Sequence, residues 1–311
     1  MRFYSSAFAK IDKVNSGSAV ALGCFDGVHI GHSQIIGCAV NFARERALSS
    51  VVWSFQAPPK NILSGQSEPS LLTTLDEKKS LMRALGVDAF ISAPFNEEIS
   101  RLTPREFFED ILISRLNAKH IFCGFNYRFG HMGSGNTELL SRFCEERGIA
   151  LTVIDEIKVD GITVSSSAIR AYILDGELDM AEKMLGRPFS LTGKVIDGQH
   201  LGRALGFPTV NQDVPRDKIS VRNGVYLTRV RIGKASKYGI TNIGMRPTVN
   251  GVAPVCETHI LDFSGNLYGK RVSVEFLKFI RSERKFASLD ELKAQVESDI
   301  ALAKAMVGNR K

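Results

Sequence analysis

The chain has few of the features that mark secreted, membrane or metal-cluster proteins. Its 5 cysteines are odd in number and include no Cys-x-x-Cys pair, which favours free thiols in a reducing cytoplasm over zinc ligation or a disulfide framework. No apolar run approaches the roughly 20 residues that a membrane-spanning helix needs. The first residues also lack the apolar core of a signal peptide. We therefore expect a cytoplasmic protein with no membrane association.

The sequence also gives little indication of nucleic-acid binding or of a P-loop. The net charge is +7, but the basic residues are scattered and form no block interleaved with aromatic residues, so we expect no nucleic-acid partner. A mild positive charge suits the attraction of anionic nucleotides equally well. The P-loop pattern is absent, as are internal repeats and low-complexity segments. The sequence leaves open whether the chain forms a homo-oligomer.

The organisation changes midway along the chain. The 311 residues, 44% of them hydrophobic, predict two globular domains. In the first half, strand-like runs alternate with helical patterns, which predicts an α/β domain with a parallel sheet and helices on both faces. From Gly186-Arg187 onward, short strands follow one another until a last amphipathic helix, which predicts a small antiparallel β-barrel. We place the domains at 1–186 and 187–311.

Local signals predict the bounds of several elements. Thr74–Glu77 and Thr103–Glu106 each fit the capping box that opens a helix, and Gly148 marks a helix end. We expect helices over 107–116 and 171–185 as well. The predicted strands of the sheet are 18–23, 50–55, 87–93, 119–124 and 149–154. The predicted strands of the barrel are 191–196, 224–232, 238–243, 257–263 and 271–279.

The most informative segment is 23–32, which reads Gly-Cys-Phe-Asp-Gly-Val-His-Ile-Gly-His. It follows an apolar run at 18–22 and predicts a strand, a tight glycine turn and a helix. Such a junction gathers backbone N–H groups and a helix N-terminus around an anion. The imidazoles of His29 and His32 can follow the charge that develops on a phosphoryl group during transfer. The alternative is a structural turn that happens to carry two histidines.

Three further loops carry groups that suit phosphates or cations. The glycine-rich loop 124–135 follows a strand and can bring backbone close to a ligand. Hydroxyls in 164–170 can cap a helix and donate to phosphate, with the Arg170 guanidinium one turn further on. The stretch 193–211 ends in Thr-x-Asn, whose oxygens suit magnesium. The structural alternatives are an omega loop, a simple N-cap with a surface arginine, and the glycine corners of a barrel.

Two of these segments resemble known family motifs. Segment 23–32 resembles the nucleotide-binding motif of the HxGH nucleotidyltransferases, specifically of FMN adenylyltransferases. Segment 202–211, Gly-Arg-Ala-Leu-Gly-Phe-Pro-Thr-Val-Asn, resembles the ATP and magnesium loop of riboflavin kinases. Together they are similar to the prokaryotic bifunctional riboflavin kinase/FMN adenylyltransferase (FAD synthetase) family over nearly the whole chain. The resemblance implies a Rossmann-like domain followed by a six-stranded barrel with a C-terminal helix.

The resemblance also implies activities and site residues. The C-terminal domain would phosphorylate riboflavin to FMN, and the N-terminal domain would adenylylate FMN to FAD, with ATP as co-substrate and Mg²⁺ as cofactor. His29, His32 and Glu257 would be catalytic, Glu257 as the general base, and Thr209 and Asn211 would bind the metal. The residues implied in nucleotide and flavin binding are Gly23, Phe25, Asp26, Gly27, Gly31, Asn126, Arg128, Ser165, Ser166, Arg170, Gly202, Arg203, Gly206, Asn242 and Arg246. The segment of Arg281 and Phe286 is expected to cover the flavin.

The chain departs from the family pattern at two positions. Pro58 stands where the family has a histidine, and Asn136 stands where an aspartate is common. Pro58 keeps one alternative open, a riboflavin kinase with a weakened N-terminal site, and a second alternative from a different class is a non-catalytic flavin or nucleotide sensor. The histidine pair and the Thr-x-Asn loop argue against the sensor.

Overall fold

The computed structural model describes residues 1–9, 17–59, 71–198, 202, 205–215, 217–248 and 251–308, with the backbone alone at 245–248 and 251–254. The described chain divides into two compact units, Met1–Ser166 and Ser167–Lys311. Among the described residues, no helix has both the length and the apolar character that crossing a membrane requires.

A parallel sheet of six strands forms the centre of the first unit, in the order β1-β4-β3-β2-β5-β6. The strands are β1 (Arg2–Tyr4), β2 (Ser18–Leu22), β3 (Ser49–Phe55), β4 (Ala89–Ala93), β5 (Ala118–Gly124) and β6 (Ala150–Ile154). Strand β1 was not predicted, because three residues are too few to show a periodicity. The chain moves outward in one direction from β2 to β4 and then crosses to β5 on the other side of β2. The carboxyl ends of β2 and β5 therefore form the topological switch point where such sheets bind ligands.

Helices cover both faces of this sheet, as predicted. They are α1 (Ile30–Glu45), α2 (Leu75–Ala84), α3 (Glu97–Arg101), α4 (Pro104–Glu106) and α5 (Thr137–Arg147). Strand β2 is buried throughout, with Val20 and Leu22 in one core cluster and Ala19 and Ala21 in the other. Because successive side chains of a strand point to opposite faces, one strand supplies both cores.

Three local predictions are refined by the structure. Both capping boxes are present with reciprocal bonds. Residues Phe107–Arg115 form a π-helix instead of an α-helix, and its wider turn places four apolar side chains in the core. The helical segment 171–185 is two helices, α6 (Ser166–Asp175) and α7 (Leu178–Leu185), which Gly176 separates with a φ of +82°. A hairpin of β7 (Lys158–Val159) and β8 (Ile162–Thr163) precedes them.

The second unit contains a closed antiparallel barrel in the order β10-β13-β12-β11-β14-β9. The strands are β9 (Ser190–Ile196), β10 (Thr209–Asp213), β11 (Gly224–Ile232), β12 (Ala235–Thr248), β13 (Gly251–Ile260) and β14 (Arg271–Arg281). Strand β10 was predicted only as a polar loop. Inside the barrel, the hydroxyls of Thr228, Thr241 and Thr258 form a chain with spacings of 2.8 Å. Helix α8 (Leu289–Gly308) packs on the outside, against an apolar cluster of β11, β12 and β14.

Candidate active sites

A strained turn joins β2 to α1 in the first unit. Phe25, Gly27 and Val28 have φ angles of +49°, +84° and +40°, which is costly for the two residues that carry a Cβ. Packing maintains the strain, because the Phe25 side chain is fully buried in the core. A Cβ on Gly23 would lie 2.8 Å from the Phe25 ring. Gly23 thus leaves room for the Phe25 ring, and the buried ring fixes the turn to the core.

His29 is the N-cap of α1. Its Nδ1 accepts a hydrogen bond of 3.2 Å from the backbone N–H of His32, so in the neutral ring the proton lies on Nε2. Gly31 has no side chain to disturb this arrangement; a Cβ there would lie 3.3 Å from both Nδ1 and Cε1 of His29. The cap therefore selects the tautomer in which His29 offers an N–H donor at Nε2.

The two imidazoles of the turn are stacked. The ring centroids of His29 and His32 are 3.5 Å apart and the planes are inclined by 17°, while the edge of Phe25 meets His32 at 5.2 Å. Burial, followed by the charges of His29 and Lys78, holds the pKa of His32 well below its usual value of 6.5. His32 is therefore neutral at physiological pH. Its Nδ1 is buried and has no hydrogen-bond partner among the described residues.

Asp26 organises the turn from below. Its buried carboxylate accepts hydrogen bonds from the backbone N–H groups of Leu72 and Thr73 at 3.0 and 3.2 Å. Thr73 Oγ1 in turn accepts from the N–H of Gly27 at 3.1 Å. Ser166 Oγ, at the start of α6, donates to the carbonyl oxygen of Asp26 at 2.9 Å. The implied ligand residues Asp26, Gly27 and Ser166 are thus joined in one hydrogen-bonded group.

A buried lysine that the sequence reading missed lies beside this turn. Lys78 of α2 is 1% exposed, and its Nζ donates to the carbonyl oxygens of Cys24 and Phe55, both at 3.1 Å. Ser54 Oγ donates to the same Cys24 carbonyl at 2.8 Å. The helical spacing of Lys78 and the buried Met82 was the one signal that could have indicated its position.

The loop after β5 leaves the sheet next to the histidine turn, because Leu22 of β2 pairs with Cys123 of β5. Its side chains Asn126 and Arg128 are exposed, as a ligand-binding role requires. The loop is held from within by backbone bonds between Phe129 and Gly135 of 3.1 and 2.8 Å. Ser165 and Arg170, at the start of α6 and one turn along it, are half-buried.

The two departures from the family pattern have simple structural settings. Asn136 is the N-cap of α5, where its Oδ1 accepts from the N–H of Leu139 at 2.9 Å. Asparagine and aspartate serve this purpose equally well. Pro58 is half-buried beyond the end of β3, outside the contacts that hold the histidine turn.

In the barrel, register brings together side chains that are distant in sequence. Asn211 of β10 pairs with Glu257 of β13, which pairs in turn with Asn242 of β12. Directly opposite residues share a face and have Cβ atoms about 4.5–5.5 Å apart. Since the neighbouring Thr241 and Thr258 fill the barrel interior, this row lies on the outer surface. Thr209, two residues before Asn211, is on the same face.

The amide of Asn211 is prepared for a ligand. Its Oδ1 is buried and has no hydrogen-bond partner among the described residues. The amide packs against Gly198, where a Cβ would lie 2.3 Å from Nδ2. Gly202 lies close to Thr209, since a Cβ there would lie 3.3 Å from Oγ1. An amide oxygen and a threonine hydroxyl on one face fit the oxygen ligands that magnesium prefers.

The segment after β14 reaches this row. The Glu283 carboxylate accepts a hydrogen bond from Asn242 Nδ2 at 3.4 Å and covers Gly244, where a Cβ would clash with it. Arg281 forms a two-pronged pair with the buried Asp299 of α8 at 2.8–3.1 Å, so its guanidinium anchors the segment. Sequence reasoning missed Glu283, because one glutamate in a charged loop carries no signal.

Three barrel residues complete the predicted set. Gly206 has a φ of +89°, which favours glycine at the turn before β10. Arg203 lies outside the described residues. Arg246 lies on β12, where its backbone pairs with Ala253.

Comparison with known proteins matches two family profiles to successive parts of the chain. The FAD synthetase family profile matches residues 11–168, and the riboflavin kinase profile matches residues 185–307. The chain is 36% identical to a bifunctional riboflavin kinase/FMN adenylyltransferase of Escherichia coli, over 94% of this chain and 93% of that protein. It is 34% identical to the protein of that name from Bacillus subtilis, over 91% and 90%.

A solved structure extends the likeness to the fold. A crystal structure described as a macrolide-efflux protein from Streptococcus pneumoniae is similar with a TM-score of 0.86 and 29% identity, over 97% of this chain and 98% of that one. Both family profiles and the full-length relatives point to one family. The chain belongs to the bifunctional riboflavin kinase/FMN adenylyltransferase family.

Proposed function

We propose that this chain makes FAD from riboflavin in two ATP-dependent steps. The barrel phosphorylates riboflavin to FMN, and the Rossmann-like unit transfers AMP from ATP to FMN and releases pyrophosphate. The observation that carries the proposal is that each unit presents the side chains its step needs. One has the stacked histidines at a helix N-terminus, and the other has the row Asn211–Glu257–Asn242.

Adenylyl transfer needs positioning and charge stabilisation more than covalent chemistry. A phosphate oxygen of FMN attacks the α-phosphorus of ATP, and the bond to the pyrophosphate oxygen breaks. Negative charge develops on the bridging and non-bridging oxygens. His29 offers its Nε2–H as a hydrogen-bond donor. His32 is neutral, so it donates without carrying a full positive charge. The positive end of the 16-residue helix α1 adds to this field.

Riboflavin phosphorylation needs a base for the ribityl 5′-hydroxyl. Glu257 accepts that proton as the hydroxyl oxygen attacks the γ-phosphorus of ATP, and ADP leaves. The strand register places Glu257 between Asn211 and Asn242 on one face. The amide of Asn242 can thereby orient the hydroxyl, and the Glu283 segment can cover it.

Magnesium is the cofactor that this arrangement suits. Thr209 and Asn211 would hold it, because Asn211 Oδ1 is buried and has no hydrogen-bond partner within the described part of the chain. Bound there, the cation supplies neutralisation of phosphate charge. Gly198 contributes to the shape of this site, because a Cβ there would overlap the Asn211 amide group.

The identity of the flavin product tests the proposal. Purified chain is incubated with riboflavin, ATP and Mg²⁺, and the flavins are separated by chromatography. FAD with transient FMN is expected. FMN alone would favour the kinase with a weakened N-terminal site, and unchanged riboflavin would favour the sensor.

We further propose that 1–186 carries adenylylation and 187–311 carries phosphorylation. Every barrel residue assigned a role lies beyond 187. Helix α7 nevertheless packs on β14, where Asp179 pairs with Lys278 at 2.7 Å. We expect fragment 187–311 to phosphorylate riboflavin, and fragment 167–311 to do so with a higher melting temperature. Loss of phosphorylation in both fragments would contradict this division.

A further inference from the structure

Lys78 is a buried cation for which the proposed chemistry has no use. It is 1% exposed, and lysines are almost never fully buried unless they are paired. Its neighbour Lys79 shows the ordinary arrangement, with a more exposed side chain 3.6 Å from Asp76 and 4.0 Å from the centre of the Phe3 ring. Burying an ammonium group costs free energy, and we expect a protein to retain such a group where it holds other atoms in place.

What Lys78 holds is the start of the histidine turn. Its Nζ donates to the carbonyl of Phe55, the last residue of β3, and to the carbonyl of Cys24, two residues after β2. Ser54 Oγ donates to the same Cys24 oxygen at 2.8 Å. Two donors from two elements therefore converge on one carbonyl, which is more than a backbone oxygen in a loop needs.

Fixing that carbonyl fixes the next residue. The Cys24 carbonyl and the Phe25 N–H belong to one planar peptide, so the orientation of the carbonyl sets the direction from which Phe25 enters its φ of +49°. The Phe25 ring then meets the edge of His32 at 5.2 Å, and His32 stacks on His29 at 3.5 Å. A continuous series of contacts thus joins the buried ammonium to both imidazoles.

We propose that Lys78 is a positioning residue for adenylyl transfer: together with the Ser54 hydroxyl, its ammonium fixes the Cys24–Phe25 peptide and thereby orients the His29–His32 pair. The inference rests on the proposed adenylylation by the first unit. Lys78 does not touch the substrate in this scheme, and it acts through the turn.

The charge of Lys78 gives the proposal a second readout. The titratable groups around His32 are His29, stacked on it, and Lys78, with Asp26 and Cys24 beside the lysine. The Lys78 cation lowers the pKa of His32, after the larger effects of burial and of His29. Removing it raises that pKa in part, so the acid limb of the rate of FAD formation moves to higher pH.

The test compares Lys78→Met with Lys79→Met in the full chain. Methionine keeps the unbranched side chain out to the ε position and removes the amine, and the second variant removes a neighbouring charge from the same helix. FAD formation from FMN and ATP is measured for kcat, for KM and across pH, with riboflavin phosphorylation by the same preparations as the internal reference. If the unmodified chain makes no FAD, the proposed function fails before this inference is tested.

For Lys78→Met we expect kcat for FAD to fall about 10²-fold, with both KM values and the phosphorylation rate close to those of the unmodified chain and the acid limb shifted upward. Lys79→Met should behave as the unmodified chain. An unchanged kcat, a loss expressed in KM alone, an unmoved acid limb, or an equal loss of both activities with a lower Tm would each overturn the inference.

Ser54→Ala keeps the test decisive if Lys78→Met does not fold. It removes the second donor to the Cys24 carbonyl and leaves the ammonium in place. We expect kcat for FAD to fall by about threefold with unchanged KM. An unaltered kcat in this variant would show that the carbonyl needs no anchoring and would overturn the inference.

Discussion

In the first unit the two imidazoles that we propose to stabilise charge come from one turn and the helix that follows it, whereas in the barrel the proposed base, the proposed metal ligand and the neighbouring amide come from three strands. The histidine turn is embedded in a hydrophobic core, with Phe25 fully buried and His32 against it. The row Asn211–Glu257–Asn242 lies on the outer face of a barrel whose interior is filled by other residues. Function and packing share residues in the first unit and are separated in the second.

This difference teaches where activity and stability are coupled. Changes to the histidine turn alter core contacts as well as chemistry, because the same side chains serve both. Changes on the outer face of the barrel leave the interior hydroxyl chain untouched. The expectations below test that contrast.

The largest effect is expected at the barrel base. Glu257→Gln is isosteric and removes the proton acceptor, so FMN formation should fall by about 10²–10⁴ with an unchanged Tm. Flavin chromatography and thermal unfolding measure the two quantities. Glu275→Gln is the matched control on β14: its carboxylate pairs with Arg229 at 2.6 Å and with Arg231, so it should lower Tm and leave turnover intact. Full activity of the Glu257 variant would remove this residue from the mechanism.

The next largest effect is expected for His29→Ala. Loss of one donor to the developing charge lowers FAD formation by about 10²–10³, and loss of the N-cap destabilises the unit by about 0.5–2 kcal/mol. His29→Asn separates the two effects, because asparagine restores the cap without an imidazole. We expect the asparagine variant to recover the Tm and not the activity. Recovery of FAD formation by asparagine would mean that His29 serves as a cap only.

Gly198→Ala should act on the metal site by steric displacement. A Cβ 2.3 Å from Asn211 Nδ2 forces the amide to rotate and moves its oxygen. We expect the Mg²⁺ concentration for half-maximal FMN formation to rise about tenfold, in the same direction as for Asn211→Ala. A magnesium titration of the two variants is the measurement. Unaltered magnesium dependence in both would contradict the assignment of Asn211.

Gly31→Ala should give an effect of similar size on the other activity, through a displacement of the His29 ring. The new Cβ would lie 3.3 Å from the His29 ring, so the imidazole must shift by a few tenths of an ångström. FAD formation should fall by about tenfold, while Tm stays constant or rises because alanine favours the helix. Lower activity together with lower stability would argue against a local displacement of His29.

The contrast also explains how far the sequence could predict the molecule. The histidine turn was predictable because its chemistry is contiguous, and the capping boxes at Thr74 and Thr103 were confirmed with both of their bonds. The alternation of strands and helices predicted the parallel sheet, and the run of short strands predicted the barrel.

What escaped prediction depends on tertiary partners. Strand β1 exists through its pairing with β4. Strand β10 is polar on its own, and only the register with β13 places Asn211 beside Glu257. The sequence predicted a role for Glu257 only through the family resemblance. The position of Lys78 becomes evident only when the carbonyls of Cys24 and Phe55 are seen to face it.

The two units differ in the free strand edges that they offer to other chains at high protein concentration. A closed barrel offers no strand edge to another chain, whereas the open sheet ends at β1 and β6. Strand β1 has 3 residues, but β6 has 5 and leaves Val153 38% exposed. Because free edges template intermolecular strand pairing, aggregation should begin at β6 of the first unit. A charged residue at position 153 should therefore reduce aggregation from this edge.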